Sequence, residues 1–128
     1  MLLSGPNAAY PPAVEPQYVD VRDVARAAVL SFSSWSALPG VKRRFLLQGG
    51  SFTWKQAVKH IAAVRPDLHG RLLDHGDPGQ VEEAPAAKID TSKARNVLGL
   101  TEFIGWQKTV EDTVDSLLDR EGAWKSHC

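Results

Sequence analysis

The clearest pattern in the chain runs from Val21 to Phe32. Val21, Val24, Ala25, Ala28, Val29 and Phe32 stand at i, i+3, i+4, i+7, i+8 and i+11, which gathers them into one broad apolar stripe on a helix. Asp20 is placed to cap that helix, and Asp23, three residues on, forms a carboxylate version of a capping box. The residues just before it, Gln17–Val21, fit a short strand. Ser33, Ser34, Pro39 and Gly40 close the helix in a loop.

The pattern then shortens. Arg44-Phe45-Leu46-Leu47-Gln48, closed by Gly49-Gly50, predicts a buried strand. Thr53 and Gln56 form a second capping box, with Trp54 at the first helical position. Trp54, Ala57, Val58, Ile61 and Ala62 make that helix's apolar face, and Pro66 stops it. His60 falls on its polar side, where it is expected to be solvated. Residues 69–87 hold three glycines and two prolines and predict a long loop. Lys88-Ile89-Asp90 predicts a further short strand. Asp90 or Thr91 then caps a small helix that runs to Leu98, with Gly99 as its left-handed C-cap. A last helix is expected from about Thr109, with Val110, Val114, Leu117 and Leu118 as its stripe. Glu111, Asp112 and Asp115 sit toward its positive end and Arg120 toward its negative end. The total is about four helices with two or three short strands, an α/β arrangement. So few strands cannot cover every apolar helix face.

Composition narrows the class. The chain has 128 residues, 43% of them hydrophobic and 23% charged, as in a globular domain. Basic and acidic residues both number 15, so charge gives no reason to expect nucleic acid or a membrane surface as partner. Cys128 is the single cysteine, which excludes a disulfide framework and fits a reducing, cytoplasmic setting. Met1-Leu2-Leu3 is too short for a signal-peptide core, and no run approaches the length of a membrane span. Prolines 6, 11, 12 and 16 make residues 1–17 an irregular lead-in to a single unit over 18–128.

Candidate chemistry is sparse. Tyr18 and Arg22 have the spacing of a Tyr-x-x-x-Lys pair, in which a cation lowers the pKa of a proton-donating hydroxyl. The cap at Asp20 puts them on different elements, so Tyr18 is expected to be a packed aromatic. Gly70, Gly76 and Gly79 have the wrong spacing for a dinucleotide fingerprint. His69, His75, Asp74 and Asp77 share one loop, but no helical pair of ligands fixes a metal there, and no metal is expected. Non-redox acid–base work by His69, His75 or Asp74 is the alternative use of that loop. Cys128 has no base at a related spacing, and Lys42-Arg43-Arg44 fits a solvated strand entry. Trp35, Trp54, Trp106 and Trp124 are expected in the core or at its rim.

The order of four segments carries more information than any one of them. YVDVRDVARAAVLSF, RRFLLQGGSFTWKQAVKHI, KIDTSKARNVLG and GWQKTVEDTVDSLL, in this order and separation, resemble the C-terminal half of an extended short-chain dehydrogenase/reductase. The likeness is to the dihydroflavonol-reductase-like branch, which includes fungal methylglyoxal and other aldehyde or ketone reductases. The resemblance implies a substrate-lobe portion of a Rossmann-type enzyme. NAD or NADP would serve the full-length family, through a glycine-rich fingerprint and a Ser, Tyr, Lys set. Neither feature is present in this sequence, so no cofactor is expected for this chain alone and no catalytic residue is assigned. The resemblance further implies that the Gln17–Val21 strand pairs with Lys88–Asp90. It implies that Phe45–Gln48 returns to the edge of a Rossmann sheet, and that Gln17 faces substrate. A truncated, inactive reductase is therefore expected, meeting a small carbonyl substrate only when completed by a Rossmann half. The alternative is a non-catalytic interaction module that uses its apolar helix faces to bind a full-length relative or another copy of itself.

Overall fold

The computed structural model describes residues 3–7, 17–34, 44–73 and 87–127. Among them are a two-stranded antiparallel sheet, β1 (Gln17–Tyr18) and β2 (Gly50–Ser51), and four α-helices. The helices are α1 (Val21–Ser33), α2 (Trp54–Val64), α3 (Ser92–Leu98) and α4 (Trp106–His127), with a 3₁₀ turn over Pro66–Leu68 after α2. The lead-in prolines 11, 12 and 16, the basic pair Lys42-Arg43, Trp35, residues 74–86 and Cys128 lie outside the described residues.

The helix starts follow the capping chemistry. Asp20 accepts from the Arg22 backbone N–H at 2.9 Å. Thr53 and Gln56 form a reciprocal box, Gln56 N to Thr53 Oγ1 at 3.1 Å and Thr53 N to Gln56 Oε1 at 2.9 Å. Asp90, not Thr91, caps α3 with its side chain, at 2.9 Å from Ser92 N. Gly99 ends α3 at φ 68°, a left-handed conformation that costs a residue with a Cβ more than glycine.

The strand expectations need correction. Only Gln17 and Tyr18 of the Gln17–Val21 stretch are strand, because capping by Asp20 already commits Val21 to α1. Their partners are Ser51 and Gly50, not Lys88–Asp90, which is irregular. Arg44–Gln48 is irregular as well, although Phe45 and Leu47 do pack inward. Here local β-propensity lacks a neighbouring strand with which to form a ladder. The last helix starts three residues earlier than expected, at Trp106.

Two apolar clusters form the interior. The larger surrounds α2, where Ala57, Val58 and Ile61 are fully buried against Phe52, Leu68, Leu72, Leu73, Val110 and Val114. Leu72 and Leu73 fall in the predicted loop, yet they are among the most buried side chains. Leu3 packs on the same cluster, and Gly5 N donates to Arg71 O at 2.9 Å, so part of the lead-in docks on this turn. The smaller cluster joins α1 to α3 through Ala27, Leu98 and Leu100. Trp54 and Trp106 pack at the core rim, as the sequence predicts, whereas Trp124 is exposed on α4. Among the described residues, no helix is long and apolar enough to cross a membrane.

Ile61 bears the core of α2. Ile61→Ala should cost about 2–5 kcal/mol of unfolding free energy in a urea titration, the range for emptying a well-packed aliphatic site. Thr53→Ala should cost about 1 kcal/mol, through loss of one cap.

Candidate functional site

The polar centre of the fold lies where α1 begins and α4 begins. Asp20 is buried and gathers three kinds of donor. The Arg22 guanidinium reaches it through Nε at 2.8 Å and Nη2 at 2.7 Å, the Arg22 backbone N–H caps it, and the Thr109 hydroxyl donates at 2.8 Å. The Arg22 contact is the main reason its carboxyl is held well below the usual carboxylate range, with the backbone bond and Thr109 adding to it. Arg22 extends the link to α4 through Nη1 and Asp112 Oδ2 at 2.9 Å, and Lys108 Nζ lies 2.5 Å from the other Asp112 oxygen. Asp20, Arg22, Thr109 and Asp112 line a groove of about 550 Å³ between the helices, together with Val19, Val21, Leu117 and Arg120.

Asp23 is the second buried carboxylate. It does not close a capping box on α1. Its Oδ2 accepts from Ile104 N at 2.8 Å, and its Oδ1 lies 3.4 Å from Arg26 Nη2. Arg26 in turn bonds the Glu102 carbonyl. Two acids one helical turn apart therefore bind α1 to the 102–109 segment. That face of α1 points inward, so the apolar stripe points outward. Val21 is 77% exposed, Val24 41%, Val29 67% and Phe32 82%.

Tyr18 and Arg22 are not brought together as a proton-transfer pair. The Tyr18 hydroxyl lies 3.2 Å from both the Gly49 and the Ile104 carbonyl oxygens, and Arg22 is spent on carboxylates. Burial is the main cause raising the Tyr18 pKa, which opposes a role as an acid. The ring lies across Gly49 and Gly50. A Cβ at Gly49 would come within 2.9 Å of Tyr18 Cε2, and Gly50 has φ 145°. The glycine pair is thus a seat for the ring as well as the end of an apolar run.

Gln17 is half-buried at the sheet's outer end, and its Nε2 donates to Ala87 O at 2.6 Å. The structure thus brings it to the far end of the 69–87 loop without any strand ladder. His60 departs from expectation. It is largely enclosed, with Nε2 2.6 Å from Glu111 Oε1 and its ring edge-on to Trp106 at 5.4 Å. Both partners lie on α4: Glu111 is already expected in that helix, whereas Trp106 is brought in by its early start. His69 is exposed on the turn after α2, and His75, Asp74 and Asp77 lie outside the described residues. Among the described residues, no group of three or more His, Cys, Asp or Glu is arranged to hold a metal ion.

No protein-family model matches the chain. A Candida albicans protein assigned as an NADPH-dependent methylglyoxal reductase is 30% identical over 103 residues, which is 79% of this chain and 29% of that protein. The NADPH-dependent methylglyoxal reductase of Saccharomyces cerevisiae is 28% identical over 107 residues, 82% of this chain and 30% of its own length. The chain thus spans less than a third of these relatives. Among solved structures, Gre2 of Candida albicans in complex with NADPH superposes with a TM-score of 0.70 at 36% identity, over 92% of this chain and 34% of that one. The NADPH complex of the yeast methylglyoxal/isovaleraldehyde reductase gives 0.66 at 26% identity, over 92% and 37%.

Asp20 sets an acid limb. Its folded pKa lies below the unfolded value of about 3.9, so its stabilisation is complete above roughly pH 5 and is lost as pH falls through the folded pKa. Asp20→Asn should lower Tm at pH 7, and the gap to the parent should narrow progressively as pH falls below about 5 in thermal melts followed by circular dichroism. Tyr18→Phe should cost about 1 kcal/mol with no change in fold.

Proposed function

Because the chain is similar, over 92% of its length, to a segment of the NADPH-dependent carbonyl reductases of the extended short-chain type, we propose that it supplies the substrate-lobe portion of such an enzyme. The activity it would serve is reduction of an aldehyde or ketone. In that reaction the carbonyl carbon takes a hydride from reduced nicotinamide and the oxygen takes a proton. The segment relationship carries this reading, since about a third of each relative superposes on nearly all of this chain.

These residues are proposed to shape the carbonyl side of the cleft and to leave nucleotide binding and proton donation to another portion. The Tyr18 environment supports this. A hydroxyl set against two carbonyls, with its pKa raised by burial, is poorly placed to protonate an alkoxide. Gln17, anchored to Ala87 by its amide nitrogen, is the residue proposed to meet the substrate. On this reading the 128 residues alone bind no NADP or NAD and do not turn over, and their setting is cytoplasmic. A second reading, a non-catalytic interaction module that can self-associate, is favoured by the outward stripe of α1.

Titration of the 128-residue chain with NADPH, followed by nicotinamide fluorescence and thermal shift, should show no saturable binding. A dissociation constant tighter than about 100 μM would overturn the proposed division of labour.

A further inference from the structure

We draw no further inference here: the strongest candidate, the outward apolar face of α1 formed by Val21, Val24, Val29 and Phe32 with the groove that Val21 shares with Leu117 of α4, carries none because nothing in the structure shows what covers it.

Discussion

Two buried carboxylates govern this fold. Asp20 and Asp23 are taken out of water, and a buried charge is tolerated only where donors surround it. Thr109, the Ile104 amide and two arginines supply those donors. The requirement fixes the rotation of α1 about its axis and the approach of the 102–109 segment that leads into α4. It also dictates which side of α1 meets solvent. Leaving a few hundred Å² of apolar stripe in water forgoes several kcal/mol, at about 25 cal/mol per Å². Turning the helix over would strand two buried carboxylates without donors, so within these residues α1 keeps this rotation.

The rest of the structure is built around α2. That helix is tied down conventionally, by a complete capping box and an apolar face with Ile61 at its centre. It joins β1, the 3₁₀ turn and α4 into one cluster, while α3 only props the far side of α1. Peripheral ion pairs such as Arg65 with Asp67 and Arg71 with Glu121 decorate this frame. They are solvent-screened and add little to its stability.

Much of this was legible in the residues. The caps at Asp20 and Thr53, the stop at Pro66 and the left-handed Gly99 are local devices, and each appears where the sequence placed it. The order of four segments pointed to extended short-chain reductases, and the similarity to methylglyoxal reductases agrees. What depended on distant partners was not legible. The Arg44–Gln48 and Lys88–Asp90 runs have strand-like composition but no adjoining strand among the described residues. Leu72 and Leu73 hide in a glycine-containing turn because α2 and α4 converge over them. Asp23 has the spacing of a capping-box partner, and only the fold reveals that its target is the Ile104 amide 81 residues away.

The aromatic packing has one practical consequence. Phe52 stacks on Trp106 at 5.6 Å and meets Trp54 edge-on at 5.5 Å, with Tyr18 at 6.0 Å and His60 against the outer side of Trp106. Five rings drawn from β1, α2, α4 and the residue after β2 are thus held in fixed mutual orientation. Such an array is a built-in chiral chromophore. It makes the near-ultraviolet dichroism of this protein a direct optical record of whether α2 and α4 are docked, while the exposed indole of Trp124 emits as though in water.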